Sequence, residues 1–568
     1  MARTGMIGGH DNRAAAPRRV AVFGAGIAGL AAADALSRRG HHVHVFEALP
    51  VPGGFFRSAR RPPPDGMPTE YSWHGFGPWY VNAFDLLRQI PCETGGSLYE
   101  RALSRPIDFG MFPERGPAAF YDRGLRSIPA MFGFSGGDLS RWTWLMLKTW
   151  TAARRARECY ARQNAAAVWG RRLSRRATMR WRACFGPWIG SDWTNVSLHH
   201  AGEFFRKQLT TQPPQPHAAD AEGPAWEQRA GSGWLLLRGP SSEVWFAPWI
   251  RDLERRGVEF TWSAPLDRLE FDGRIVTAAI LATRHKIEAD DYVLATTPFA
   301  AAAIVAKTPE LARRPQLDRL RALVAGGPHV QVSLRIGFGE SIRFPRPRTA
   351  VVLADTEYNL TLFAQEQAWL PEVDLGRGIR SLWTITSCAA DVPGRLRGLP
   401  VKRCTKEEFL EEVLTQLHSC GSLDRMLHEA NGGRGLRDFR VIATEVWDEW
   451  RFSPDGISGP EPKWVDSTRT LPHQPTQSTG VPNLLLAGAH TLTQAGIWSI
   501  EGAVESGRRA ARAIDPSVVV LSQHVPWWIR VLRRIDDGCY AAGMPHVLDL
   551  ALWIGMGAMV AIALWLAL

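Results

Sequence analysis

The stretch RVAVFGAGIAGLAAADALSRRGHHVHVFEALPVPGG, from Arg19 to Gly54, decides the fold. Val20 to Phe23 is a short apolar, β-branched run of the kind that fills a buried parallel strand, and it feeds directly into Gly24, Gly26 and Gly29. Strand, tight turn and helix follow in that order. Gly24 permits the turn, Gly26 lets a pyrophosphate approach the backbone with no Cβ in the way, and Gly29 allows the helix to lie close on the strand. The free N–H groups around Ile27 and Ala28 open the helix, where its dipole favours anions. The helix carries Leu30, Ala33 and Leu36 inward and ends near Gly40. A second strand, His42 to Phe46, delivers Glu47 about twenty residues beyond the glycines, placed to accept hydrogen bonds from ribose hydroxyls and to repel a 2′-phosphate.

A second block, NLLLAGAHTLTQAGIWSIEGAVESGRRAA, runs from Asn483 to Ala511. With Gly53 and Gly54 just beyond Glu47, the two blocks make the chain resemble the FAD-dependent amine oxidases and phytoene desaturase-like enzymes. The first motif of that family matches Gly24, Gly26, Gly29, Glu47, Gly53 and Gly54; the last matches Leu486-Ala487-Gly488 and Glu501-Gly502-Ala503 through Ser506-Gly507. The resemblance implies FAD, with Gly488, Glu501 and Ala503 on a strand and helix passing beside the ribityl chain and ring. Where the family shows an acid after the Ala-Gly pair, this chain has Ala489-His490, so either backbone groups or His490 take over that contact, or His490 caps a helix or is satisfied by solvent. The resemblance also suggests that Gly257-Val258-Glu259 supplies backbone contacts on the adenine side, with Val258 the candidate; an ordinary core valine is the alternative. Arg57 is a candidate to neutralise pyrophosphate charge or to pair with a carboxylate.

The implied fold class is α/β: a Rossmann-like FAD-binding domain, a parallel sheet with helices, interleaved with an α+β substrate domain and followed by a transmembrane helix. At 568 residues the chain is too long for one core. The expected division is a disordered 1–17, FAD-binding parts at 18–110, 231–300 and 441–515, substrate-domain parts at 111–230 and 301–440, an interfacial segment at 516–549 and an anchor at 550–568. Within it, 212–231 is a Pro-, Ala- and acid-rich excursion, strands are predicted at Val330 to Ile336 and Ser381 to Thr386, and a helix at Glu407 to Leu417. The seven cysteines form no CxxC pair and no cluster with histidine, so no metal is expected and a reducing compartment is the simplest reading.

Leu550 to Leu568 is nineteen residues without a charge, which at about 1.5 Å per residue nearly spans a hydrocarbon core of about 30 Å. Arg530, Arg533 and Arg534 precede it and no positive charge follows, so a single span with the catalytic body on the cytoplasmic side is expected. VPWWIRVLRRI, before the span, reads as an interfacial helix whose indoles and cations meet anionic lipid. A second basic stretch, Arg141 to Arg182, sets Trp142, Trp144, Trp150, Trp169 and Trp181 among eleven arginines. It reads either as a solvated helical face or as a membrane-docking surface. Nucleic acid has no motif behind the charge.

A flavin enzyme must hold a C–H or N–H bond against the ring and exclude water. Tyr71, Trp73, His74, Phe76, Trp79 and Tyr80 are expected as an aromatic wall or as interior packing, with Glu70 or His74 as acid or base. Trp498 and Glu501 flank the last motif, and Glu501 either acts electrostatically or caps a helix. Membrane attachment favours dehydrogenation of an isoprenoid, carotenoid or other lipid chain, or its reverse or an isomerisation. An amine or protoporphyrinogen-type oxidase and a non-catalytic flavin scaffold are the alternatives.

Overall fold

The computed structural model describes residues 16–104, 106–121, 126–190, 192–211, 233–345, 348–447, 449–459 and 462–555. The expectations for residues 1–15, for the excursion at 212–231 and for the end of the anchor at 556–568 lie outside the described residues.

Arg19–Phe23 and His42–Phe46 are the strands expected, and they lie at the heart of a parallel sheet in the order Leu484–Leu486, Asp291–Leu294, Arg19–Phe23, His42–Phe46, Glu259–Thr261. Because side chains alternate along a strand, Val20, Val22, Val43 and Val45 enter one core, whereas Ala21, Phe23 and Phe46 enter another on the opposite face. Burial on both faces explains why these strands read as continuous apolar runs. The helix Ile27–Ser37 packs on one face beside Ile500–Ile514. A Cβ on Gly507 of the later helix would overlap the carbonyl oxygen of Ala28, so the two glycine signatures meet backbone to backbone. The other face is covered by the antiparallel hairpin Leu266–Phe271 and Val276–Leu281 with the helices Pro298–Ala306 and Pro315–Val324.

A second sheet of seven strands runs in the order Val441–Val446, Val332–Phe338, Ser381–Ser387, Leu360–Ala364, Ala350–Leu353, Phe109–Phe112, Ala119–Tyr121. Its neighbours are antiparallel except for Ala350–Leu353 against Phe109–Phe112. The helix Lys406–His418 is fixed by a capping box, in which Thr405 accepts from the Glu408 amide while Glu408 accepts from the Thr405 amide.

Helices at Gly136–Trp150, Arg175–Ile189 and Leu198–Thr210 form a third body. Four of the five indoles expected on a solvated or membrane-docking face lie inside, and Trp144 is half-buried. Trp142, Trp150, Trp169 and Trp181 are buried, with Trp181 stacked on Phe205 at 4.6 Å and edge-on to Trp169 at 4.8 Å. Their rings fill a core while arginines such as Arg141 and Arg171 face outward. The sequence could not separate these because both residue types share one amphipathic stretch.

The helix Trp527–Ala541 forms where an interfacial helix was expected. Among the described residues no helix is long and apolar enough to cross a membrane.

Candidate functional site

The turn between Arg19–Phe23 and its helix is built from positions where a side chain cannot go. Gly24 has φ +113° and a Cβ there would lie 2.5 Å from the carbonyl oxygen of Ala295. A Cβ on Gly29 would overlap the carbonyl oxygen of Gly24, so its role is helix-on-strand packing. A Cβ on Gly53, which has φ +111°, would lie 2.8 Å from the Phe246 ring. Gly26 differs: a Cβ there would meet no protein atom within 4 Å, because it faces a cavity.

That cavity, of about 470 Å³, is lined by Gly24, Gly26, Ile27, Ala28, Glu47, Gly53 and Gly54 from the first signature and by Gly488, His490, Trp498 and Ala503 from the last. Glu47 is anchored by the Ala25 amide, which donates to Oε2 at 2.6 Å, and the Leu49 amide, which donates to Oε1 at 2.9 Å. It presents a carboxylate to the cavity at the edge where a ribose would lie. His490 is buried, and its Nε2 has no hydrogen-bond partner among the described residues. Burial pushes its pKa down to about 4, so the ring is neutral and offers one donor or acceptor to whatever fills the cavity. A glycine cradle, an anchored acid and an orphaned imidazole on one wall fit a flavin dinucleotide.

Several expected cofactor residues stand elsewhere. Val258 packs in the core and is absent from the cavity wall; the chain reaches the cavity a few residues later, at Ala264 to Asp267, after the short strand Glu259–Thr261 has ended. Arg57 turns away from the cavity to pair with Glu449, donating from Nη1 to the Gly54 carbonyl at 2.8 Å, so it braces the cradle from behind. Glu501 is fully buried off the wall. It accepts from the Asn82 amide at 3.1 Å, the Asn82 side chain at 2.9 Å, the Ala83 amide at 2.9 Å and Gln523 at 2.8 Å. It thereby caps the helix Val81–Gln89 rather than touching a ligand or capping its own helix, whose cap is Ser499. Burial raises its pKa to about 7 against the pull of those donors. Its catalytic and cofactor assignments are both corrected.

Beyond the cavity lies a smaller chamber of about 80 Å³ that shares Phe55, Phe56, Trp498 and Ser499 with it. Tyr71, Trp73, Tyr80, Trp188 and Trp234 complete an aromatic wall, and His74 contributes its ring. Phe76 and Trp79 are buried behind, outside the lining. Burial, with help from Arg335, drives the His74 pKa to about 3, so the ring is neutral at pH 7 and no imidazolium is there to act as an acid. Glu70 lies 3.0 Å from Arg335 Nη2 in a fully buried ion pair and accepts from the Ser241 amide at 3.2 Å. That pair ties Pro68–Glu70 to Val332–Phe338, and Glu70 is absent from both the cavity and the chamber lining. Its expected acid–base role is corrected to a structural one.

The sequence reading missed two groups at the boundary. Lys463 is buried, donates to the Gly190 carbonyl at 2.8 Å and holds Nζ 4.8 Å from the centre of the Trp498 ring and 5.9 Å from that of Tyr71. Burial lowers its pKa to about 8. Asp466 is also buried; it accepts from the Trp498 amide at 2.7 Å and from Gln474 at 3.0 Å, and burial raises its pKa to about 7. Both sit in the proline-rich return before the last signature. In a chain whose basic residues are overwhelmingly arginine, a lysine beside Trp464 was the available signal.

The family model for flavin containing amine oxidoreductases matches residues 27–515. Among solved structures, an oxidoreductase from Methanosarcina mazei shares 13% identity with a TM-score of 0.55 over 88% of this chain and 100% of its own. Cyclohexylamine oxidase from Brevibacterium oxydans gives 16% and 0.53, and putrescine oxidase bound to putrescine gives 15% and 0.57, each over 88% of this chain and 99% of theirs. At such identities the likeness is one of fold. Among curated proteins, a glutamate synthase [NADH] of Schizosaccharomyces pombe matches at 58% over 40 residues, 7% of this chain and 2% of that relative's length. The match to most of the chain and the glycine-lined cavity agree: the chain belongs to the flavin-containing amine oxidoreductase family and is an FAD-dependent oxidoreductase.

Proposed function

We propose that this enzyme oxidises an apolar chain, isoprenoid or acyl, drawn from a membrane surface, with removal of hydrogen from adjacent carbons or the reverse saturation or isomerisation. FAD, when bound, would take the hydride, and the second hydrogen would leave as a proton, with the Lys463 amine beside Trp498, its pKa lowered to about 8, as the group to receive it in its neutral form. The observation that carries the reading is the chamber lining. Its wall is aromatic, its one histidine is neutral at pH 7, and no carboxylate lines it among the described residues. A cationic amine finds no counter-charge there, and the Lys463 ammonium beside Trp498 repels it. Phe55 and Trp498, ring centres 6.3 Å apart, stand at the junction with the cavity and exclude water from the reacting bond.

Attachment rests on the uncharged run from Leu550 to Leu568, with the exposed Leu552, Trp553 and Ile554 at its described end. The catalytic body is then cytoplasmic by the arginines that precede the run.

The second reading, oxidation of an amine, draws on the names of the cyclohexylamine and putrescine oxidases that share the fold. Anaerobic titration of the purified holoenzyme separates the two. Bleaching by an isoprenoid-rich lipid extract but not by an amine panel is expected, together with a hydrocarbon chain in the mass spectrum of co-purified lipid. Bleaching by an amine alone overturns the proposal.

A further inference from the structure

A third cavity, of about 640 Å³, shares no lining residue with the flavin cavity or the aromatic chamber. It is bounded by Arg157, Arg206, Arg319, Arg530 and Arg533, with Glu203 the one carboxylate among its lining residues. Glu203 is already bound, by Arg206 Nη2 at 2.8 Å and Arg533 Nη2 at 2.5 Å. Those two arginines are also held by backbone, Arg206 donating to the His524 carbonyl at 2.8 Å and Arg533 to that of Trp150 at 2.8 Å. They form a fixed floor. Arg157, Arg319 and Arg530 stand exposed around it, none in an ion pair within 4 Å among the described residues; Arg319 leans on the carbonyls of Pro472 and Gln474 at 3.5 and 3.3 Å, and Arg157 feels the charge of Glu158. His199 completes the wall with a buried Nδ1 that has no hydrogen-bond partner.

Arg530 and Arg533 come from the helix Trp527–Ala541, whose outer face carries Trp527, Val531 and Ile535 at a spacing of four. Trp527 is 71% exposed, Val531 45% and Ile535 47%. A stripe of this width left in water marks a surface that meets something apolar. Arg530 lies one turn beyond Trp527, so the stripe and the arginine cavity adjoin on one helix. Guanidinium forks match phosphate oxygens in number and geometry. The formal net charge of +11 favours the same approach.

We infer that this cavity is a binding site for the phosphate of an anionic phospholipid headgroup, seated when the Trp527, Val531 and Ile535 stripe lies in the membrane interface. The inference rests on the membrane reading above and is independent of the flavin chemistry. The fixed Arg206 and Arg533 pre-shape the floor, and the exposed Arg157, Arg319 and Arg530 close on the phosphate. The site sets which leaflet surface the enzyme settles on and in which orientation.

The test compares binding of the full-length holoenzyme to vesicles of phosphatidylcholine alone and of phosphatidylcholine with about one-third phosphatidylglycerol. Each arginine near an anionic surface is worth about fivefold, so about a 100-fold preference for anionic vesicles is expected from the three exposed groups. The triple variant R157Q, R319Q and R530Q is expected to lose that preference. An equal loss of charge on the distant hairpin, R268Q, R274Q and R284Q, is expected to keep most of it. Equal loss in both triples overturns the site in favour of diffuse charge. Equal binding to both vesicles overturns the site and leaves an apolar anchor standing; binding to neither overturns the membrane reading as well. Inorganic phosphate that stabilises the protein through the same arginines without affecting vesicle preference assigns the cavity to free phosphate and overturns the lipid assignment.

Discussion

The flavin cavity and the aromatic chamber touch along Trp498 and Ser499, yet they are built by opposite means. The cavity is made by leaving side chains out: Gly24, Gly26, Gly53, Gly54 and Gly488 bring backbone to the wall. The chamber is made by putting side chains in, from segments as far apart as Tyr71, Trp188, Trp234 and Trp498. A surface of backbone recognises a phosphate-bearing ligand common to many enzymes, whereas a surface of side chains can be re-cut for each substrate.

The largest effect that sharpens this contrast is expected at Gly26. A Cβ there meets no protein atom, so Gly26→Val should fold, with an unchanged circular dichroism spectrum, and lose FAD affinity by about 100-fold or more through the blocked pyrophosphate approach. A yellow Gly26→Val protein with undiminished affinity would break the account of the cavity.

Next comes Glu501, which belongs to the cofactor signature yet works as a distant cap. Glu501→Ala strands the donors of Asn82, Ala83 and Gln523 and should cost about 3 kcal/mol of stability, read by thermal unfolding. The flavin absorbance and the rate of flavin reduction at low temperature should stay within twofold. A rate collapse with little loss of stability would return Glu501 to the chemistry.

Lys463 tests the boundary between the two regions. Its folded pKa, near 8, is below the ordinary 10.5, so the unfolded state binds the extra proton between those values and stability rises with pH across that window. Lys463→Met should remove part of that rise, the remainder coming from Lys207, which burial also lowers to about 8. Flavin reduction in the parent enzyme should inflect near pH 8, and the variant should be flat there. An unaltered inflection would place its origin elsewhere.

The smallest effect is expected at His74. With a pKa near 3 the ring is the neutral imidazole at pH 7, neither an acidic imidazolium nor an effective base, so His74→Phe should change the rate of flavin reduction by less than about threefold. A fall of about 100-fold would make it a proton carrier after all.

The contrast also explains what the amino-acid sequence disclosed. Gly24, Gly26 and Glu47 were legible because their spacing is dictated by a turn, a helix and one strand within a single local unit. Of the two readings of Val258 the core valine holds, and the chain reaches the cavity a few residues later, since a short strand has no periodicity to mark where it does so. Glu501 was illegible because its partner, Asn82, is brought to it by a fold contact across 419 positions. Arginine neighbours make the indoles between Trp142 and Trp181 readable as core or as surface; packing puts Trp142, Trp150, Trp169 and Trp181 inside and leaves Trp144 half-buried. Lys463 belongs to no motif, and its rarity beside Trp464 is a faint signal that only burial turns into a role.

The backbone contact between Gly507 and Ala28 has a consequence for biogenesis. Ala28 is translated before the helix that seats against it, Ile500–Ile514, and strands of both sheets come between them. No nascent chain short of that point owns a complete nucleotide berth. Prosthetic-group loading is therefore a late event in the life of each molecule, and a prematurely terminated copy is born without colour.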